Sequence, residues 1–338
     1  MSDINIETFA SLSTFSAAFA LSLFLTGFWI LIARRAGLVA KDMNKYRQEK
    51  PVAESGGIAV IISFTFSILL YIFFKTFVLP AENHLVFIFS MLISILLAGM
   101  IGFVDDILGW KIGLRQWQKP LLTIPIAIPL IVVNAGESSV SLPIIGHTDL
   151  GILYPLLVIP AGIVGAANGF NMLAGYNMLE GGLGAIILST MGIVALRDNS
   201  LWVAVLAFSG VAALLGFLFY NRYPAKVFPG DSLTYFCGAL IAIIAILGNM
   251  EKTAIILFAP FFIEFALKAR SRFRAETFGR PDENNCLSAP SKKVYSLAHA
   301  VLRYFPAIFG RKAREMDVVA SIFLLQLLFS IIALMAAG

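Results

Sequence analysis

The chain has 338 residues, of which 59% are hydrophobic and 13% charged, with a formal net charge of +5. Soluble domains carry roughly 25% charged residues and need a polar skin over the core, so the composition excludes an ordinary water-soluble fold and calls for a membrane protein. Two cysteines, Cys237 and Cys286, are too few for a disulfide framework or a zinc-ligand pattern.

A membrane-crossing helix needs about 20 mostly apolar residues. The first apolar run, 9–33, is long enough, and no small-residue cleavage site follows it, so it reads as a retained helix. Further runs lie at 56–79, 85–104, 120–134, 152–167, 182–196, 201–219, 232–248, 253–267 and 317–337, which predicts an all-α polytopic bundle of ten spans. With the first terminus outside, the inner connections are 34–55, 105–119, 168–181, 220–231 and 268–316, and they hold 22 of the 25 Lys and Arg residues. This is the positive-inside pattern, and an even number of spans puts both termini on the outer or lumenal side. The net charge is thus a topology signal, and no nucleic-acid partner is needed to explain it. Residues 1–338 read as one transmembrane domain in an integral, multi-pass membrane protein, with the five inner loops forming an active face toward the cytoplasm. The long polar stretch 268–316 is expected to carry short helices or a strand pair.

The unusual polar residues fall in those loops. Opening the second span is Lys50-Pro-Val-Ala-Glu54-Ser-Gly-Gly57, whose bland reading is a capped helix start after a basic loop. Asp105 and Asp106 end the third span in Gly102-Phe-Val-Asp-Asp106. Paired carboxylates at a membrane edge repel each other and need a cation, a basic side chain or water; the bland alternative is a solvated helix end. The segment Asn171-Met-Leu-Ala-Gly-Tyr-Asn-Met-Leu-Glu180 offers amides, a carboxylate and Gly175 with no basic residue. Such a loop admits close backbone approach and oxygen ligands for a hard cation, or it is only a flexible turn. Val227-Phe-Pro-Gly-Asp-Ser232 sets Asp231 at the mouth of a span, where it could be the helix N-cap. Together these carboxylates and amides could hold Mg²⁺, while Lys119, Arg222, Lys226 and the 268–316 loop could neutralise phosphates. Phosphoryl transfer asks for little beyond such positioning and charge neutralisation. The three histidines make no zinc pair, and no Walker A loop is present.

Gly102-Phe-Val-Asp-Asp106, Asn171-Met-Leu-Ala-Gly-Tyr-Asn-Met-Leu-Glu180 and Val227-Phe-Pro-Gly-Asp-Ser232, in this order and over essentially the whole chain, resemble the signatures of the polyprenyl-phosphate N-acetylhexosamine-1-phosphate transferases. The second motif is most similar to that of the dolichyl-phosphate N-acetylglucosamine-1-phosphate transferases of eukaryotes and archaea. Bacterial pentapeptide transferases carry Asp in place of Ala174 and Asn177, which argues against a muramoyl substrate. The resemblance implies that UDP-N-acetylglucosamine and a polyprenyl (dolichyl) phosphate give lipid-diphosphate-N-acetylglucosamine and UMP, with Mg²⁺, or Mn²⁺ in its place, as cofactor. It implies Asn171 and Asp231 as metal ligands, and Asp105, Asp106 and Lys119 as the catalytic group at the reacting phosphates. It further implies Gly175 and Asn177 at the uridine, Phe228 stacked on the uracil, Glu54 lining the nucleotide pocket, and one of Arg274, Arg280, Lys292, Lys293 or His299, Arg280 foremost, at the diphosphate. The 268–316 loop departs from the family in lacking a clear His-x-Arg pair. Direct attack is favoured over an aspartyl-phosphate route, and a homodimer is an open expectation. The alternatives are the same reaction with another UDP-N-acetylhexosamine, or a transporter or flippase for a lipid-linked solute.

Overall fold

The computed structural model describes residues 3–47, 51–79, 84–112, 117–142 and 146–337; Lys50 lies outside them. Apolar runs in lipid must satisfy their own backbone polar groups, so they fold as helices. In chain order these are α1 (Asp3–Ala36), α2 (Gly57–Phe77), α3 (Leu85–Ile112), α4 (Gln118–Thr123), α5 (Ile128–Val132), α6 (Ile159–Met172), α7 (Leu179–Arg197), α8 (Leu201–Asn221), α9 (Gly230–Leu247), α10 (Glu251–Leu257), α11 (Ala259–Ala269), α12 (Leu297–Phe309) and α13 (Glu315–Ala336). A wide π-turn over Tyr154–Val158 leads into α6.

Among the described residues, eight helices are long and apolar enough to cross a membrane, and they fall on eight of the ten expected runs. The other two runs are broken. Residues 118–132 pass from α4 through a 3₁₀ turn at Ile124–Ala127 into α5, with Pro125 and Pro129 at the two junctions. Residues 251–269 break between α10 and α11, where Pro260 sits in the first turn of α11. Proline lacks the N–H that would carry a helix through such a point.

The strands are short and lie in connections. β1 (Val39–Ala40) pairs antiparallel with β2 (Val52–Ala53), with Val39 opposite Ala53. β3 (Ser139–Leu142) and β4 (Gly146–Asp149) make a hairpin that the sequence reading did not anticipate. In the 268–316 loop, β5 (Arg280–Pro281), β6 (Cys286–Ser288) and β7 (Ala313–Arg314) form a three-stranded sheet beside α12. The expected strand pair is therefore three strands, because the chain leaving α12 returns to the sheet before α13.

At the centre stands α9, buried without interruption from Ser232 to Ile246 and packed on α2, α3, α6, α7 and α8. Its first turn meets α3 at Gly102, where a Cβ would lie 2.6 Å from the Asp231 carbonyl carbon. Only a residue without a side chain permits that approach. Gly102→Ala should therefore lower the apparent melting temperature of the purified protein, by the equivalent of about 1–3 kcal/mol for overpacking. Gly162→Ala, made where a Cβ meets nothing within 4 Å, should leave it unchanged, and equal melting temperatures for the two variants would refute the close-approach argument.

Candidate active site

Three segments far apart in sequence converge at the start of α9. The chain before α2 and the chain before α9 are zipped together. Phe228 N–H donates to Ala53 O at 2.7 Å, Gly56 N–H to Phe228 O at 2.9 Å and Gly57 N–H to Pro229 O at 2.9 Å, with a parallel bridge between Ala53 and Val227. Trp29 Nε1–H donates to Glu54 O at 2.8 Å and fixes the segment from the α1 side. This places Glu54 and Phe228 on the wall of one cavity.

The end of α3 joins from the other side. Asp106 accepts the Asp231 N–H at Oδ1 (2.6 Å), and at Oδ2 the Ser232 N–H (3.4 Å) and hydroxyl (3.1 Å). The N-cap position itself is Pro229, with no side-chain cap. Asp106 thus caps α9 from another helix, satisfying N–H groups that a helix start leaves unpaired. Asp231 is freed from the capping role that its position in the sequence allowed. Its carboxylate turns to Lys119, whose Nζ lies 2.7 Å from Asp231 Oδ2 and 2.7 Å from Asp105 Oδ2. The adjacent aspartates therefore divide their work: Asp106 builds the helix junction, and Asp105 faces the lysine and Asp231.

Asn171 stands one residue before the end of α6. A cavity of about 250 Å³ gathers Glu54, Asn171, Gly175, Phe228 and Asp231, with Asp42, Glu180 and Thr234 also on its wall. Five of the sequence-predicted residues thus share one space, with Lys119 and Asp105 against Asp231 at its edge. Burial first, and the charge of Asp231 second, raise the Glu54 carboxyl above its ordinary range.

The loop from Leu173 to Met178 is held by buried acceptors. Gly175 N–H donates to Glu180 Oε1 (2.7 Å), Asn177 N–H to Glu315 Oε1 (2.7 Å) and Met178 N–H to Asn221 Oδ1 (2.9 Å). Gly175 has φ +107°, and a Cβ there would meet the Phe278 ring at 2.7 Å, so its backbone and space both call for glycine. Asn177 is 2% exposed, and its amide donates to Asp42 Oδ2 at 3.3 Å. It holds the loop and does not line the cavity. Arg280 lies in a neighbouring basic cavity of about 770 Å³, which it shares with Arg270, Arg272, Arg274 and His299 and which meets the first at Met43 and Phe278. Arg222 and Lys226 are exposed and line neither cavity.

Sequence reasoning missed Asp42 and Asn44. Asn44 Nδ2–H donates to Gly175 O (2.8 Å), and its Oδ1 accepts Gly279 N–H (3.2 Å), so one side chain ties three loops. The only local signal was a short Asp-Met-Asn in a basic loop. Glu315, at the first position of α13, was hidden in the same way.

A family model described as Glycosyl transferase family 4 matches residues 88–249. A Sulfolobus acidocaldarius protein, provisionally named UDP-N-acetylglucosamine–dolichyl-phosphate N-acetylglucosaminephosphotransferase, is 33% identical over 317 residues, covering 93% of this chain and 92% of that protein. The chain belongs to glycosyl transferase family 4. The Dictyostelium discoideum protein bearing the same enzyme name is 29% identical over 69% of this chain and 65% of its own. A phospho-N-acetylmuramoyl-pentapeptide-transferase of Halalkalibacterium halodurans is 33% identical over 75% and 79%. The family is one of polyprenyl-phosphate hexosamine-1-phosphate transferases.

The division between the two aspartates is testable. Asp106→Ala should lose both transfer and stability, the latter by about 1–3 kcal/mol for the buried donors left unpaired. Asp105→Asn should lose transfer while melting as the parent does. Equal melting of Asp106→Ala and the parent would show that α9 does not depend on this cap.

Proposed function

We infer that this chain transfers N-acetylglucosamine-1-phosphate from UDP-N-acetylglucosamine to a polyprenyl phosphate of the dolichyl type, releasing UMP. The observation that carries the reading is the convergence of Glu54, Asn171, Gly175, Phe228 and Asp231 on one cavity, with Lys119 bridging Asp105 and Asp231 at its edge. Relatives of both the dolichyl-phosphate and the muramoyl-pentapeptide kind match the chain. Ala174 and Asn177, where the pentapeptide enzymes resemble one another in carrying Asp, favour the former.

A second observation supports a lipid substrate. An apolar cavity of about 470 Å³ lies between the π-turn and α6, α9, α10 and α11, lined by Leu157, Ala161, Gly165, Ile241, Ala245 and Phe262 among others. Two of these helices carry the candidate site, with Asn171 near the end of α6 and Asp231 in the first turn of α9. The cavity lies toward the other ends of these helices, at residues 157–166 and 241–246, and its apolar lining suits an isoprenoid chain.

The donor set also fits a hard divalent cation. Glu54, Asp105, Asp106 and Asp231 crowd one region, and Lys119 is the cation paired with them among the described residues. The donors are oxygens. No group of three or more His, Cys, Asp or Glu residues forms a metal cage among the described residues, and Mg²⁺ commonly uses one or two protein oxygens together with phosphates and water. Asn171 and Asp231 would hold it. When bound, it would supply Lewis-acid neutralisation of the phosphate charge.

In the reaction, an oxygen of the lipid phosphate attacks the β-phosphorus of the nucleotide sugar. The new phosphorus–oxygen bond forms as the bond to the bridging oxygen breaks, and the electron pair leaves on UMP. The lipid phosphate is already an anion, so no aspartyl-phosphate is needed. Lys119 offsets charge building on the diphosphate, with Asp105 and Asp231 keeping it charged and in place. Phe228 offers a ring to the uracil, and Glu54 and the Gly175 backbone shape the nucleotide end. The excess of basic residues in the expected inner loops turns this face to the cytoplasm, where UDP-sugars are met.

Purified protein given UDP-N-acetylglucosamine, dolichyl phosphate and Mg²⁺ should release UMP, and chelation should stop it. Asp231→Asn should abolish release. Phe228→Ala should raise KM for the nucleotide sugar by the equivalent of about 1–3 kcal/mol, the range for a base stacked on an aromatic ring. Full turnover by Asp231→Asn, or UMP release only with a different UDP-sugar, would overturn the site or the substrate respectively.

A further inference from the structure

The stretch 268–316 reads as polar overall, yet α12 within it is Leu-Ala-His-Ala-Val-Leu-Arg-Tyr-Phe-Pro-Ala-Ile-Phe, with Arg303 as its single permanently charged residue. One face is accounted for. Ala298, Leu302 and Phe305 are buried, and Leu302 packs where β5 and β6 approach, beside Gly279 and Leu287. Large apolar side chains are exposed as well: Tyr304 is 57% exposed and Ile308 72%, and Phe309, stacked on Phe305, is 62% exposed. Large apolar side chains exposed together on one short helix mark a surface that takes a cover.

Both ends of α12 fix where that cover lies. At its start, Leu297 N–H (2.7 Å) and the Ser296 hydroxyl (3.1 Å) donate to Glu264 Oε2 on α11. At its end, Gly310 takes the left-handed conformation that stops the helix, and five residues later α13 begins its passage through the bilayer. Arg311 then clamps Asp317 in the first turn of α13 with two bonds of 2.7 Å and lies over the Phe305 ring at 5.0 Å. α12 is thus a short helix tied at one end to α11 and, through Arg311 just beyond its other end, to the head of a spanning helix. Arg303 on the helix and Arg311 and Lys312 just beyond it are exposed. On α11 itself, Phe262 and Phe265 are also exposed.

We propose that α12 is an interfacial helix, seated with Tyr304, Ile308 and Phe309 in the headgroup–acyl boundary of the leaflet beside the candidate site. The occupant of its outer face is the bilayer. Because β6, β7 and Gly279, just before β5, pack on the inner face of α12, the membrane would hold the segment carrying Arg280 over the basic cavity. The inference does not depend on which sugar or lipid the protein uses.

The test is nitroxide accessibility in lipid nanodiscs. Tyr304→Cys and Ile308→Cys are each labelled in a Cys286→Ser background, where the other cysteine, Cys237, is fully buried; Glu283→Cys serves as the water-exposed reference. Labels at 304 and 308 should collide several-fold more with oxygen than with a water-soluble nickel chelate, at a depth of about 5–10 Å as for interfacial helices, and the reference label should show the reverse. Nickel-dominated collisions at both positions would overturn the proposal, since the face would then be in water. Low collision with both reagents would overturn it too, because protein would then cover the face. Two positions guard against one label disturbing the fold.

Discussion

The geometry depends on a carboxylate of one membrane helix serving as the N-terminal cap of another. Asp106 accepts the backbone N–H groups of Asp231 and Ser232, which fixes the rotation and height of α9 against α3. Two consequences follow from the covalent chain. Asp105, one residue before the cap, is set beside Asp231, one residue into α9, and Lys119 reaches both at 2.7 Å. Burying carboxylates at a membrane edge is costly, and here the cost is met by a helix start for one and a lysine for the others. Gly102 is part of the same device, since a side chain there would meet the Asp231 backbone.

Much of this was legible from sequence, for a physical reason. Lipid forces long apolar runs, so any short polar cluster stands out, and Asp105, Asp106, Asn171, Gly175 and Asp231 were visible as interruptions. Phe228 and Glu54 were legible because they sit inside such clusters. The length of a span was equally legible except at prolines. Pro125, Pro129 and Pro260 divide two expected spans into shorter helices, and an apolar count alone does not see a missing N–H.

What the sequence concealed was contact between loops. Asp42, Asn44 and Glu315 look like ordinary boundary residues, yet each binds the loop beginning at Leu173 across a separation of more than 130 positions. Asn177 illustrates the converse. Its motif suggested a hand in nucleotide binding, whereas its N–H and amide are engaged by Glu315 and Asp42, so it shapes the backbone that Gly175 presents. Motif membership identifies a neighbourhood, and only packing separates residues that face the cavity from those that hold its wall.

The same distinction explains why α12 escaped notice. Charge counting put it in a basic, water-facing loop, and the count was right for the segment as a whole. Within that segment thirteen residues carry one permanent charge, a local composition closer to the spans than to the loop around it. A short apolar helix cannot cross the bilayer at 1.5 Å per residue, but it can lie on it. Where its two ends are tied to a broken helix and to the head of a spanning one, it has little choice, and the sheet resting on its inner face inherits that position. The bilayer then acts as a structural partner of the loop above the site as well as the solvent of the bundle.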